Sequence, residues 1–98
     1  MEYSFRAEVS KWPGDGGWYL VRVPRQYFEE IKLITSERKR GFGAVKVSAC
    51  IGDTNWQTSI FPDNEDGSYL LFLKKQVRAA DNLEIGSSVN VSIELLDI

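Results

Sequence analysis

The sequence predicts a single, mainly β domain over residues 1–98, with six strands and two short helices that close into a small barrel. Apolar and polar residues alternate in several segments, as is typical of half-buried strands. A weak internal repeat also relates the two halves of the chain, since Asp15–Leu20 resembles Glu65–Leu70 and Val45–Ser48 resembles Val89–Ser92. Each half then runs strand, strand, helix, strand, so we expect two ββαβ halves related by a pseudo-two-fold axis.

The first half begins with strict alternation in Tyr3–Val9, which predicts a strand. A glycine-rich turn leads to a second strand at Trp18–Val23. Pro24 ends that strand and suits the first turn of a helix, because its φ is fixed and it has no N–H to satisfy. Ala44–Ile51 alternates again and is the third predicted strand. The helix between them carries its apolar residues at helical spacing: Tyr27, Phe28, Ile31 and Ile34.

The second half repeats this order. A fourth strand is predicted at Asn55–Phe61, closed by the segment Pro62–Gly67, whose residue types are typical of turns. A short helix at Lys74–Ala80 is expected to turn Val77 and Ala80 inward, and alternation predicts the last strand at Val89–Leu95.

The fifth strand, Tyr69–Leu73, differs from the others because it is apolar at every position. Such a run is typical of a strand buried on both sides. In a barrel, the same pattern is expected where a helix covers the outer face of the strand. The sequence therefore predicts either a strand buried within the sheet or a barrel strand whose outer face a helix covers.

Composition narrows the classes of function. The chain has 43% hydrophobic and 27% charged residues, a net charge of −2, no histidine and one cysteine. A single cysteine forms no intramolecular disulfide, and without histidine a zinc site is untenable, so we expect neither metal nor cofactor. The sequence shows no export signal and no apolar run of about 18 residues, so a soluble, cytoplasmic protein is expected.

Candidate nucleophiles are few. Cys50 has no imidazole to make it a thiolate and is interpreted as a strand residue. Ser59, with Lys74 as its base, lacks any nucleophile-elbow or oxyanion-hole pattern. We therefore expect that the protein is not an enzyme.

A set of motifs spans nearly the whole chain. The motifs are Trp18-Tyr19, Val23-Pro24, Gly41-Phe42-Gly43, Ile51-Gly52, Trp56, Thr58 to Pro62, Tyr69-Leu70-Leu71, Lys74, Val77-Arg78 and Ile85-Gly86. Their order and spacing resemble a family of small bacterial proteins catalogued as a domain of unknown function. The resemblance implies a double-split β-barrel, sometimes fused to a bacteriocin-protection, OmpD-associated type of segment.

That architecture is similar to the AbrB and MazE regulators and antitoxins, which dimerise and bind DNA. The chain departs from the family at Phe72, where many members have proline, and at Ser87, where many have aspartate.

Four residues that match the family pattern form the predicted binding site. Lys74 and Arg78 lie four apart on a helix, where their charges repel unless something neutralises them. Asp81 would neutralise them from within the protein, and a bound carboxylate or phosphate would do so from outside. Alternatively, Arg78 braces the loop at 63–66. With Trp56 and Ser59, these residues predict a non-catalytic binding or interaction module for a protein, peptide or small anionic ligand. The alternative is that Trp56 is a core residue.

A nucleic-acid-binding regulator is the alternative function. Two basic groups support it, with Trp18, Trp56 and Tyr69 as residues on which bases could stack. The acidic net charge disfavours it, because affinity for phosphate comes from concentrated positive charge. Whether the chain is a monomer or a homodimer stays open. The basic residues are Arg38, Lys39, Arg40, Lys46, Lys74 and Lys75.

Overall fold

Seven strands form one antiparallel sheet in the computed structural model of the chain, which describes residues 1–14, 16–36 and 43–96. The mainly β class predicted from sequence is confirmed, as a curled, barrel-like sheet with two short helices. In chain order the elements are β1 (Glu2–Glu8), β2 (Ser10–Lys11), β3 (Tyr19–Val23), a 3₁₀ turn (Arg25–Tyr27), α1 (Phe28–Ile34), β4 (Val45–Ile51), β5 (Thr54–Asp63), β6 (Ser68–Leu73), α2 (Lys75–Ala80) and β7 (Ser88–Leu95). The strand order is β1-β7-β4-β5-β6-β3-β2.

The first predicted strand is divided in two. Pairing with β7 ends at Glu8, and pairing with β3 starts at Ser10, so β1 and β2 are neighbours in the chain but lie at opposite ends of the strand order. Val9 joins them. Its N–H donates to the carbonyl of Ser87 at 2.8 Å, and its carbonyl accepts from the N–H of Gly86 at 2.8 Å. The chain therefore bends at Val9 without leaving its backbone groups unpaired.

β5 is longer than predicted, since it continues through Pro62 to Asp63. The prediction that Pro62 closes the strand is wrong because of where the proline lies in the sheet. Pairing of β5 with β4 ends at Ile60, while pairing with β6 continues to Asp63. One side of Pro62 thus has no neighbouring strand, and a missing N–H on that side costs no ladder bond.

The core lies on the inner face of the sheet and follows the alternation of the sequence. In β7, for example, Val89, Val91, Ile93 and Leu95 are all buried. The helices contribute Phe28 and Ile31 from α1 and Val77 from α2. No helix in the described part of the chain is long and apolar enough to cross a membrane.

The expectation that Ala80 packs inward is wrong, since Ala80 is exposed. α2 ends at this residue, and Asn82 follows with a positive φ of 52°. That reversal brings Leu83 into the core, so Val77 and Leu83 fill the space beneath the helix.

A small ionic network holds the turn between β5 and β6 against β3. The guanidinium of Arg22 lies 2.9 Å from Asp63 and 3.4 Å from Asp66, and Arg25 lies 2.9 Å from the other oxygen of Asp66. The hydroxyl of Ser68 donates to Asp66 at 2.6 Å. Hydrogen bonding to Arg22 lowers the pKa of Asp63, and the hydrogen bond from Ser68, followed by that from Arg25, lowers the pKa of Asp66.

These lowered pKa values predict how stability depends on pH. An aspartate in the unfolded chain has a pKa of about 3.9. Between that value and the lower pKa of the folded state, the unfolded chain binds more protons, so acid favours unfolding. We expect the free energy of unfolding in urea to be constant above about pH 5 and to fall as the pH drops through the folded-state pKa values.

The Asp63→Asn, Asp66→Asn double variant should lose most of this acid dependence. Asp53→Asn, which changes an exposed residue of another turn, is the control and should keep it. An unchanged pH profile in the double variant would show that the network does not link stability to pH.

The turn between β4 and β5 packs against the end of α2. Gly52 has a positive φ of 59°, and a Cβ added there would lie 2.8 Å from Oδ1 of Asp81. Gly67 also has a positive φ, of 75°, but a Cβ there would meet nothing within 4 Å. The two glycines therefore share the backbone constraint and differ only in their surroundings.

This difference can be measured by alanine substitution. Gly67→Ala should cost about 1–2 kcal/mol, the usual penalty for a left-handed L-residue. Gly52→Ala should cost more in denaturant unfolding, because the methyl group also displaces Asp81, and the added Asp81→Ala change should remove the excess. Equal costs at the two glycines would contradict packing of this turn against Asp81.

Candidate functional site

The binding residues predicted on β5 do not share a face of the sheet. Side chains alternate along a strand, so Trp56 and Ser59, three positions apart, point to opposite sides. Trp56 is in the hydrophobic core and is 9% exposed. Ser59 lies on the outer face, directly opposite Lys46 of β4.

The other two predicted residues lie at α2. Lys74 is the exposed N-cap residue, and the guanidinium carbon of Arg78 lies 4.2 Å from the centre of the Tyr19 ring. Arg78 forms no ion pair with Asp81, and Nε of Arg78 and Oδ2 of Asp81 are each buried without a hydrogen-bond partner. The charge of Arg78 therefore rests on an aromatic face. The loop at 63–66 is braced by Arg22 and Arg25 instead.

The basic residues of the alternative function are placed in different regions. Arg38, Lys39 and Arg40 lie outside the described residues. Lys46 lines an open depression of about 320 Å³ with Ser59 and Phe61, on the outer face of β4 and β5. Lys75 lines another, of about 300 Å³, with Arg78 at α2. Lys46 and Lys75 thus line two separate depressions.

A cluster of four aromatic side chains covers the outer face of the sheet where β2, β3, β6 and the end of β5 meet. We call it the aromatic face. The N–H of Trp12 donates to the carbonyl of Trp18 at 2.7 Å, which continues the β2–β3 pairing by one step. In the same way Leu20 pairs with Phe72, and Leu70 with Phe61. The aromatic face consists of Trp12, Trp18, Phe61 and Phe72.

The rings of the aromatic face stand at steep angles to one another. Phe72 is at the centre, with ring centroids 6.0 Å from Trp12, 6.0 Å from Trp18 and 6.1 Å from Phe61. The interplanar angles are 69°, 73° and 61°, in the edge-to-face range that aromatic pairs prefer. Three aromatic rings thus pack around the central Phe72 ring.

This arrangement buries two leucines and leaves aromatic surface in water. Leu20 and Leu70 are 1% and 4% exposed although they lie outside the core cluster. Trp18 is 52% exposed and Phe61 is 39% exposed. A contiguous exposed apolar patch of this kind marks an interaction site more often than scattered single residues do.

Two glycines allow the loop before β3 to lie against the indole rings. A Cβ added at Gly14 would lie 2.7 Å from Nε1 of Trp12, and one added at Gly16 would lie 2.7 Å from Nε1 of Trp18. Any larger residue would push the ring away. The loop backbone therefore helps to set the direction of both indoles.

Charged residues stand at both ends of the aromatic face. At the Phe61 end, Asp63 and Asp66 are held by Arg22 and Arg25. At the tryptophan end, the exposed Lys74 follows β6. Lys11, which pairs with Tyr19, is on the opposite face of the sheet, and Lys75 lines the depression at α2. Because Tyr19 pairs with Leu73, extending the register by one residue places Lys74 beside Trp18.

Sequence reasoning named Trp18 only as a residue on which bases could stack, and it did not find Trp12, Phe61 or Phe72 as site residues. The available signal was the strand that is apolar on both faces. That pattern predicted a strand buried on both sides or a helix over its outer face, whereas aromatic side chains lie on the outer side of β6.

A third depression, of about 580 Å³, lies on the outer face of β1, β7 and β4. Arg6 donates to the amide oxygen of Asn90 at 3.2 Å, and the thiol of Cys50 donates to the carbonyl of Gly52 at 3.4 Å. Arg6, Asn90 and Cys50 therefore already form hydrogen bonds within the protein.

Comparison with known proteins gives one relationship. No curated protein matches the sequence. A family model described as a domain of unknown function, DUF1905, matches residues 5–93, which run from β1 into β7 and include the whole aromatic face. The chain therefore belongs to the DUF1905 family.

Proposed function

We propose that this protein is a non-catalytic binding module that contacts its ligand through the aromatic face. The observation that carries the proposal is the exposure of Trp18 and Phe61 around Phe72. Removing apolar surface from water yields about 25 cal/mol per Å², so a partner that covers these rings gains much of its affinity there. Tryptophan is also the residue type most enriched among binding hot spots.

The aromatic face is built for binding without rearrangement. Its residues stand on paired strands and on the loop before β3, and each ring contacts Phe72 at a steep angle. Because the rings are held by their neighbours, a ligand orders few side chains on binding, which reduces the entropic cost of association.

The absence of catalysis is part of the proposal. The sequence has no histidine. The carboxyl groups with displaced pKa values, Asp63 and Asp66, are stabilised as anions by arginines, which is the opposite of what a general acid requires. Such groups hold the fold together rather than transfer protons.

The barrel is also proposed to be of the six-stranded, double-split type. β1 and β2 lie at the two ends of the strand order. If residues 2–11 are counted as one bent strand, the sheet closes into a ring of six strands. If the positions of Val45–Ile51 and Val89–Leu95 are exchanged, each β4–β7 residue pair falls on a pair of the same ladder. The same holds for the β3–β6 pairs when Tyr19–Val23 and Tyr69–Leu73 are exchanged. These registers support the pseudo-two-fold relation. The relation has one exception. Under it, the β2–β3 pairs should match the β5–β6 pairs, but the two registers differ by two residues, and the offset arises at the bend around Val9.

A bacterial origin and a cytoplasmic location complete the proposal. The first follows from the family resemblance. The free thiol of Cys50 suits a reducing compartment.

Nucleic-acid binding is the second candidate, and one observation favours it. Phe61 belongs to the aromatic face and also lines the depression that holds Lys46 and Ser59. A strand of nucleic acid could place a base near Phe61 and a phosphate near Lys46. The net charge of −2 argues against it, because affinity for phosphate comes from concentrated positive charge.

Selection from a random peptide library tests the main proposal. The wild-type protein should enrich peptides whose binding, measured by fluorescence anisotropy, weakens about tenfold in Trp18→Ala and in Phe61→Ser, since truncating a hot-spot residue costs more than about 1 kcal/mol. Leu33→Ala is the matched control, because Leu33 is 75% exposed on α1, away from the aromatic face. Peptides that bind equally to all variants would contradict the aromatic face as the binding surface.

The second candidate is tested with labelled duplex DNA and single-stranded RNA at about 50 and 200 mM salt. Phosphate contacts lose affinity steeply over that range. We expect no binding at either concentration. Salt-sensitive binding that Lys46→Ala reduces, at unchanged melting temperature, would establish the nucleic-acid function instead.

A further inference from the structure

We propose that β1 is the contact edge of a symmetric dimer, in which it pairs antiparallel with β1 of a second copy of this chain. The edge lies outside the aromatic face, so the inference does not rest on the proposed function. Two observations carry it. One side of β1 has no neighbouring strand among the described residues, and the charges along the strand complement those of a second copy.

The backbone of β1 bonds to β7 through alternate residues. Just outside the two ends of β1, the carbonyl of Met1 accepts from the N–H of Leu95 at 2.9 Å, and the N–H of Val9 donates to the carbonyl of Ser87 at 2.8 Å. Backbone groups alternate in direction along an antiparallel strand, so the residues at odd positions face β7. The residues at even positions direct their N–H and C=O groups away from β7, and these are Glu2, Ser4, Arg6 and Glu8.

No strand in the described part of the chain pairs with that side of β1. The same side is used only beyond Glu8, where Ser10 pairs with Leu20 and the N–H of Trp12 donates to the carbonyl of Trp18. The four even-numbered residues of β1 are all exposed. An exposed strand edge with unpaired N–H and C=O groups is a template on which a further strand can pair.

The charges of β1 are not balanced within one copy. Glu2 lies directly opposite Glu94 of β7, where like charges are unfavourable, and neither forms an ion pair among the described residues. Arg6 lies opposite Asn90 and donates to its amide oxygen at 3.2 Å. No carboxylate of the described residues pairs with Arg6. One face of β1 thus carries an acidic group and a basic group, each without an opposite charge beside it.

A two-fold axis at Ser4 brings these groups together. Antiparallel pairing centred there sets Ser4 of one copy against Ser4 of the other, and Glu2 of each copy against Arg6 of the other. Each of these pairs exchanges two backbone hydrogen bonds, because all three residues direct their N–H and C=O groups to the free edge. The arginine of the second copy then follows Glu94 and Glu2 in one row across the joined sheet, which offsets the repulsion between the two carboxylates.

Neighbouring registers lack this complementarity. Moving the centre one residue towards β2 sets Glu2 against Glu8, and moving it two residues sets Arg6 against Arg6. Moving it three residues pairs Arg6 with Glu8, but it also requires the backbone of Ser10, which already pairs with β3. The charge pattern therefore selects a second copy in a single register, since charge complementarity fixes the partner and the register of an interface.

The expected dimer is weak. A single strand pair is small compared with the roughly 1,200 Å² that stable interfaces bury at the least, so backbone hydrogen bonds supply the affinity and the charges supply the register. We therefore expect association at protein concentrations of about 0.1–1 mM.

Sedimentation velocity of the full chain over this concentration range tests the inference. The wild-type protein should shift from monomer to dimer. Glu2→Arg and Arg6→Glu should each weaken the dimer at least about tenfold, because each variant sets like charges opposite one another. Glu8→Arg is the matched control and should dimerise like the wild type. It reverses the same charge on the same strand, at a position that faces no residue of the second copy in this register.

Exchange of the two charges separates the inference from a loss of stability. The double variant Glu2→Arg, Arg6→Glu should dimerise like the wild type, and an equimolar mixture of the two single variants should form heterodimers. Both arrangements restore oppositely charged pairs across the interface, whereas a folding defect in either single variant would not be rescued. The melting temperature of each variant at low concentration reports folding separately.

Ser4→Pro tests the backbone part of the inference. The N–H of Ser4 faces away from β7, so proline removes no bond of the β1–β7 ladder but deletes the central hydrogen bonds of the dimer. We expect this variant to remain monomeric over the whole concentration range, with the β1–β7 pairing intact by amide hydrogen exchange.

Contrary outcomes are equally specific. A wild-type protein that is monomeric at the highest concentration, or a dimer that survives both charge reversals and Ser4→Pro, overturns the inference. Loss of the dimer in Glu8→Arg would indicate the register shifted by three residues and would overturn the assignment of Glu2 to Arg6. Loss of the dimer in Trp18→Ala, with β1 variants unaffected, would place the second copy on the aromatic face instead.

Discussion

The pairing of β3 with β6 places apolar side chains on both sides of one sheet, and the rest of the molecule accommodates that constraint. On the inner side, Val21 and Leu71 lie opposite each other and are fully buried in the core. On the outer side, Leu20 lies opposite Phe72, where a strand would ordinarily present polar residues to water. No helix covers this side among the described residues, so side chains from β2, β5 and the loop before β3 do so. The proposed binding surface is thus a consequence of how this strand pair is buried.

Phe72 occupies the centre of that cover, and its position explains why the surrounding rings are ordered while still exposed. An aromatic pair contributes about 0.5–1.5 kcal/mol beyond the burial of area, and Phe72 forms three such contacts. Trp18 and Phe61 therefore contact Phe72 while remaining exposed to solvent. A proline at this position could form none of these aromatic contacts, so the aromatic face as described depends on Phe72.

Sequence reasoning predicted the strands and helices because their signals are local, whereas the site depends on register. Alternation at Val89–Leu95 and helical spacing at Phe28 and Ile31 are visible within a few residues, and the structure confirms those elements. The exceptions, such as continuation of β5 past Pro62, arose where the neighbouring strand decided the outcome. The candidate patch failed to assemble for the same reason: Trp56 and Ser59 are close in sequence but face opposite sides. The aromatic face joins residues from four separate segments, which only the strand pairing brings together.

The acidic net charge of the chain gives little information about the aromatic face, because some of the acidic side chains are already paired with arginines within the protein. Asp63 and Asp66 bind Arg22 and Arg25, so two of the acidic residues that set the net charge are locally neutralised. Extending the β3–β6 register by one residue places the exposed Lys74 beside Trp18, at the other end of the aromatic face. The local charge at each end therefore differs from what a net charge of −2 suggests, because charge acts through its distribution over the surface.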